Sequence, residues 1–521
     1  MARIVVVGGG VAGLASAARL SIKGHDVAIL EQSDRLGGLV RSYTRDGFTF
    51  ELGPSKLTLP AVYRDLFLKT GASLEDSIDL VEIPDGTRYY WPGGARGRDF
   101  GPETSVLLPS VGGTAAAREL DSVLGGSTGE DWRTLTKRAA QMWKIVRPQL
   151  VEQQLADHAD LKAVTAERDA RKTLAPRSSL RKITKKLVKD PHVRQLVESY
   201  ALLQGADPRT APATYLTLPY IEQTFGTWWI GGGIHKLVDA LEDRCLERGV
   251  EIRRNARVAD IMTSESKVTG ITLQDGSTLE ADIIVWSGST RNLAEACSDQ
   301  ALQSMEETAN QVKPTHSMLT IMVALKGTTD GLAHDNVYLS RDPNKELRRL
   351  QAGLQTWEPT IRVSVAADQT MQPQGHEALT IQVPAPLHRP LGHHANYRGL
   401  DWSEPELAKA TATLTIAQLG GHGLNLAERE LWHEVRTPAD IEAETGSPGG
   451  AIYGSAPDGW QRTWLKPTIH TAVEGLYLVG DSAQPGAGLD RVGMGAEILA
   501  ETIGRAKRRA RRKPANDQGS T

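Results

Sequence analysis

Residues 3–20 restrict the fold more than any other stretch of the chain. Arg3 to Val7 is a short β-rich apolar run, Gly8-Gly9-Gly10-Val11-Ala12-Gly13 follows it, and Leu14, Ala15, Ala18 and Leu20 then fall at helical spacing. This is a strand, a glycine turn and a helix. Gly8 permits the tight turn, Gly10 lets the backbone approach a pyrophosphate, and Gly13 lets the helix pack closely on the strand. The helix that Val11 and Ala12 open then directs its N-terminal amides at the phosphate charge. A second strand-like run, Asp26 to Leu30, ends in Glu31, near the ~20-residue offset at which a carboxylate meets a ribose hydroxyl. The pattern predicts a dinucleotide at the edge of a parallel sheet.

The next segment argues against a nicotinamide fold. Asp34-Arg35-Leu36-Gly37-Gly38 and then Gly47-Phe48-Thr49-Phe50-Glu51-Leu52-Gly53-Pro54-Ser55 place glycines where backbone amides can line a second, larger ligand surface. Glu31 to Ser55 resembles the stretch of flavin amine oxidases and carotenoid desaturases that holds ribose, pyrophosphate and ribityl chain. The Gly-Phe-Thr-Phe and Gly-Pro-Ser elements are similar to the phytoene desaturase branch in particular. The resemblance implies FAD as cofactor, with Gly37, Gly38, Gly53 and Pro54 among its contacts. It also implies that Val258 meets the adenine through its backbone, although a plain strand residue is an equal reading of that position.

At 521 residues the chain exceeds one ordinary core, so two domains or one with a large insertion are expected. From about Tyr89 to Phe225 the sequence turns charged and helical, without a glycine-rich motif. The first domain resumes at Gly226-Thr227-Trp228-Trp229-Ile230-Gly231-Gly232-Gly233, followed by a helix over Lys236 to Arg248 and a strand over Val250 to Arg254. A hairpin pattern leads from Val258 through Ile261, Val268, Ile271 and Leu273 to an Asp275-Gly276 turn, before a buried strand at Ala281 to Trp286. Lys189 to Leu196, Pro314 to Leu325 and Val383-Pro384-Ala385-Pro386 extend the resemblance over most of the chain.

Near the C-terminus, Gly475 to Val479 reads as a strand ending in Gly480-Asp481, and Pro485-Gly486-Ala487-Gly488 precedes a helix over Gly493 to Ile503. A carboxylate at such a strand end can reach a ribityl hydroxyl, while helix amides face the electron-rich edge of a flavin. The resemblance accordingly assigns Gly480, Asp481, Leu489 and Val492 to the cofactor. The chain departs from the branch twice: Gly480-Asp481-Ser482-Ala483-Gln484 stands for the usual Gly-Ala-Gly-Thr-His, and Leu489-Asp490-Arg491 for Ile-Pro-Gly. Both changes put the substrate's identity in question rather than FAD. Asp490 reads as a helix N-cap, and no catalytic residue is assigned.

The expected fold is therefore α/β. A Rossmann-like FAD-binding domain of the amine-oxidase (GR2) type is built from 1–88, 226–290 and 455–510. An α+β substrate domain from 89–225 and 291–454 is interleaved with it, and 511–521 forms a basic, polar tail. The net charge of −3 gives no case for nucleic acid, and no Ser/His/Asp set, metal-spaced Cys/His cluster or Walker loop is present. His235 and His316 read as structural, and Cys245 and Cys297 as reduced thiols of a cytosolic protein. No apolar run approaches the ~20 residues that span a bilayer, and the chain enters a strand at once, so a cytoplasmic protein starting at Met1 is expected.

If the desaturase resemblance holds, the substrate is a long isoprenoid, the reaction removes hydrogen across a carbon–carbon single bond, and a quinone or oxygen reoxidises the flavin. Such a substrate lives in lipid. Between Ser179 and Lys189, Leu180, Ile183, Leu187 and Val188 share a helical face beside Arg181, Lys182, Lys185, Lys186 and Lys189. That pattern suits either docking on the inner face of the cell membrane or packing on the core. The basic run Arg505 to Lys513 reads as a solvated helix end or tail. Three alternatives stay open at this point: an amine or small-molecule oxidase of the same superfamily, a flavin-dependent isomerase or saturase, and a non-catalytic lipid escort. Glycines and acids at both ends of a flavin site argue against the last.

Overall fold

The run Ile4–Val7 is buried on both faces, as a central parallel strand must be. In the computed structural model, which describes residues 1–83, 85–93, 103–297, 299–302, 312–366, 368–390 and 397–506, Arg3–Val7 lies between Asp26–Leu30 and Ile283–Trp286, parallel to both. Glu251–Arg253 and Leu476–Leu478 complete a five-stranded parallel sheet. Helix Val11–Ser21 packs between Lys236–Glu247 and Leu489–Ile503 over this sheet, and Leu14, Leu20, Leu237, Leu241 and Leu499 form one core there. The expected hairpin is present as Val258–Ser264 and Lys267–Leu273, continued by Thr278–Glu280 through a turn at Gly276.

A second, seven-stranded sheet runs in the order Glu430–Arg436, Ser317–Lys326, His376–Ala385, Ile361–Val365, Asp335–Tyr338, Thr87–Trp91, Thr104–Leu108. All of its pairings are antiparallel except Asp335–Tyr338 with Thr87–Trp91. The last two strands correct the expectation that 89–225 is helical throughout. Thr87–Trp91 alternates buried and half-buried residues with period two, a strand signal that the charged surroundings obscured. Helices take over from Gly113–Leu124 and Thr128–Val146 to Thr217–Phe225, packed around a fully buried Trp132.

The segment 179–189 forms the helix Leu180–Leu187, capped by the Ser179 hydroxyl. Leu180, Ile183 and Val188 point into the same core as Trp132, so the apolar stripe is not offered to a membrane. Lys182, Lys185, Lys186 and Lys189 remain exposed. Among the described residues no helix is long and apolar enough to cross a membrane. Cys245 and Cys297 are free and buried. Of the basic C-terminal run, 507–513 lie outside the described residues, as does the tail 511–521.

One buried acid ties a helix to the second sheet. Glu346, on helix Pro343–Gln351, is fully buried and accepts hydrogen bonds from the Thr360 amide at 2.7 Å and the Thr360 hydroxyl at 3.0 Å. Burial outweighs these bonds and pushes its carboxyl from 4.5 up to about 7. The folded protein thus keeps a proton that the unfolded chain has lost, so Glu346's contribution to stability declines as pH rises from 4.5 to 7 and is constant above. Glu346→Gln removes that loss. It is expected to be more stable than the parent at pH 8 by up to about 3 kcal/mol, with the gap closing toward pH 5, as read from urea midpoints.

Candidate active site

The turn after the first strand is shaped by two glycines. Gly8 has φ +102° and donates its amide to Leu30 O at 2.8 Å. A Cβ on Gly13 would lie 2.0 Å from Gly8 O, so only glycine lets the helix start this close to the strand. Gly10 takes the N-cap position without any side-chain cap, which leaves the first amides of helix Val11–Ser21 open to an anion. Gly37 donates to Gly9 O at 2.9 Å, and Gly38 faces Gly10 with no side chain between them. Glu31 accepts from the Gly9 amide at 2.8 Å and from the Ser33 amide at 2.9 Å, fixing its carboxylate at the rim of the same slot.

These groups line one wall of a cavity of about 1010 Å³, at the upper end of the range for single-ligand pockets. Gly8, Gly10, Val11, Ala12, Glu31, Gly37 and Gly38 stand along it, and Val258, Gly53, Pro54, Gly480, Asp481, Leu489 and Val492 line the same cavity. Gly13 does not line the cavity; it acts one layer down, through packing. The uncapped helix, the glycine slot and the rim carboxylate fit an adenosine pyrophosphate, and the cavity continues past them with room for a larger ring system.

At the far end three segments converge. A Cβ on Gly480 would lie 3.2 Å from Ser287 O, and one on Gly454 would lie 3.2 Å from the Asp481 side chain. Lys466 donates to Asp481 O at 3.2 Å, and burial lowers its ammonium to about 8. The last helix, Leu489–Ile503, begins earlier than expected. Its N-cap is Gly488, at φ +117°, so Asp490 sits in the first turn and is not the N-cap. Its carboxyl folds back against Gly488, and burial raises it above the usual carboxylate range, against the pull of Arg491.

The opposite wall carries side chains from the second sheet, among them Thr320, Arg362 and Gln382. Arg362 grips Asp335 with two bonds, Nε to Oδ1 at 2.6 Å and Nη2 to Oδ2 at 2.9 Å, and also donates to the Ser55 hydroxyl at 2.8 Å. Lys56 pairs with Asp335 at 3.3 Å and Glu222 at 3.0 Å, and Tyr200 donates to Glu222 at 2.9 Å. Burial alone would raise the Asp335 carboxyl, but Arg362 and Lys56 outweigh it and hold it well below the usual range. Burial, reinforced by Glu222, keeps the hydroxyls of Tyr89 and Tyr200 protonated. None of this cluster was visible in the sequence. The one available signal was a charge, Asp335, opening a strand that is buried at every residue.

His235 pairs with Glu51 at 3.0 Å outside the cavity. His316 is half-buried with its Nε2 enclosed, and desolvation pushes it down to about 4. Neither lines the cavity.

Comparison with known proteins agrees with this geometry. The family model of flavin containing amine oxidoreductases matches residues 11–490. The chain is 29% identical over 508 residues to hydroxyneurosporene desaturase of Cereibacter sphaeroides, covering 96% of this chain and 97% of that protein. It is 26% identical to 4,4'-diapolycopene oxygenase of a Methylomonas species, covering 96% and 98%. The fold is shared with an oxidoreductase from Methanosarcina mazei, at TM-score 0.64 and 18% identity over 96% of this chain and 100% of that one.

The close helix–turn packing gives a direct test. Gly13→Ala drives a methyl into Gly8 O and is expected to cost about 1–3 kcal/mol. Melting temperature and the flavin absorbance carried per mole of purified protein should fall together.

Proposed function

The chain belongs to the flavin containing amine oxidoreductase family, and from that membership we propose that it is a carotenoid desaturase, dehydrogenating carbon–carbon bonds of a long isoprenoid. Its cofactor is FAD. The observation that carries the proposal is likeness to carotenoid enzymes over 96% of the chain, which takes in both walls of the cavity and not the nucleotide half alone.

When bound, FAD would supply the two-electron acceptor that such a dehydrogenation needs. The protein's own part is to bind, orient and exclude water. Gly8, Gly10, Val11, Ala12 and Glu31 are proposed to hold the adenosine and pyrophosphate, with Val258 at the adenine. Gly37, Gly38, Gly53, Pro54, Gly480, Asp481, Leu489 and Val492 are proposed to hold the remainder, and Gly13 supports them through packing. The segments 1–88, 226–290 and 455–510 form the cofactor domain in this scheme, and 89–225 and 291–454 the substrate domain. An amine oxidase is disfavoured because the relatives that match over the whole chain are carotenoid enzymes. A quinone or oxygen is the proposed terminal acceptor.

Since the apolar stripe of 179–189 is in the core, membrane contact by this segment is proposed to be electrostatic, through Lys182, Lys185, Lys186 and Lys189. Each such lysine is worth about 1 kcal/mol at an anionic surface. Sedimentation with phosphatidylglycerol vesicles should weaken with salt and with the triple change Lys182→Glu, Lys185→Glu, Lys186→Glu. Insensitivity to both would exclude this contact.

The proposed reaction is checked by anaerobic titration of the liposome-bound holoenzyme with phytoene. The expected result is bleaching of the oxidised flavin band together with a polyene product absorbing at longer wavelength. Bleaching by amines with phytoene inert would overturn the assignment.

A further inference from the structure

The wall opposite the cofactor is not the apolar surface that a pure hydrocarbon would favour. Arg362 uses Nε and Nη2 on Asp335 and Ser55, and its Nη1 donors have no hydrogen-bond partner among the described residues. The Tyr453 hydroxyl likewise has none, although Tyr453 lies deep enough for burial to raise its pKa. Both residues line the cavity and interact electrostatically. Their position is fixed at the flavin end: Tyr453 precedes Gly454, which packs on Asp481, and Arg362 is tethered to Ser55, next to Gly53 and Pro54.

We propose that the substrate presents a neutral acceptor oxygen, a hydroxyl or carbonyl on an otherwise apolar isoprenoid, to the Tyr453 hydroxyl and the Arg362 Nη1 donors. This rests on the carotenoid assignment and narrows it. A hydrocarbon seated here would strip water from both donors and leave them unpaired, a cost that a bonded oxygen removes. A carboxylate is not required, because Arg362 and Lys56 are already matched by Asp335 and Glu222. An ammonium offers no lone pair to either donor.

The test compares binding of hydroxyneurosporene, a terminal polyene aldehyde and the hydrocarbon neurosporene to the flavin-loaded enzyme under anaerobic conditions, followed by quenching of flavin fluorescence. One net hydrogen bond predicts a preference of about tenfold for an oxygenated polyene, whether alcohol or aldehyde. Tyr453→Phe should collapse that preference, and Arg362→Lys, which keeps a cation for Asp335 but loses the guanidinium fork, should reduce it. Equal affinity for all three polyenes in the parent enzyme overturns the inference and leaves the carotenoid assignment standing. So does a Tyr453→Phe enzyme with an unchanged preference and a shifted flavin midpoint potential, which would assign the hydroxyl to the cofactor. Failure of every polyene to bind overturns both.

Discussion

The buried cluster of Lys56, Glu222, Asp335 and Arg362 is the contact on which the shape of the cavity depends. Its members come from three distant parts of the chain: the loop after Gly53 and Pro54, the end of the helical segment, and two neighbouring strands of the second sheet. Two cations and two anions removed from water gain little net stability, since desolvation offsets most of their attraction. What they gain is geometry. Removing one partner strands a charge in the interior at a cost of about 3–5 kcal/mol, so alternative placements of the loop against the sheet are strongly disfavoured. The Gly53–Ser55 backbone is thereby held at one distance from the strands that face it, and Gln382 adds a bond to Gly53 O at 3.2 Å.

Two sheets of different character meet at this cavity. The parallel sheet ends in glycine turns and uncapped helix starts, so its wall is largely backbone: amides, a slot between Gly10 and Gly38, and one rim carboxylate. The mainly antiparallel sheet presents alternate side chains instead, and its wall is Thr320, Arg362 and Gln382. Backbone amides suit the pyrophosphate and ribityl oxygens of a cofactor that does not vary. Side chains suit a substrate that differs between relatives, because they can be exchanged without moving the strands that bear them.

This division explains what could be read before the fold was known. A wall made of backbone requires glycines at fixed offsets, and these stand openly in the sequence at Gly8, Gly10, Gly13, Gly37 and Gly38. Gly13 was recognisable for the packing role that it has. A wall made of side chains depends on strand pairings between residues hundreds of positions apart, and no local pattern reports that Lys56 meets both Glu222 and Asp335. The strand Thr87–Trp91 pairs with Thr104–Leu108 nearby and with Asp335–Tyr338 far along the chain, and its charged surroundings obscure the period-two pattern. The helix at 179–189 was legible as amphipathic, but amphipathicity alone does not say whether the apolar face meets lipid or protein; here it meets Trp132 and its neighbours.

The departure at Leu489-Asp490-Arg491 belongs to the same logic. Gly488, at φ +117°, already takes the N-cap, so the helix needs no cap from Asp490. In the first turn a carboxylate is favoured by the helix dipole, and this one lies against Gly488, itself part of the cavity wall. Arg491 packs its guanidinium over the Trp464 ring at 5.8 Å, two residues before Lys466, which holds Asp481 O. A proline and a glycine at 490 and 491 would carry neither ionisable side chain. Asp490 and Arg491 do not line the cavity, but Asp490 acts electrostatically on Tyr453, which does, so the exchange bears on the polarity of that wall.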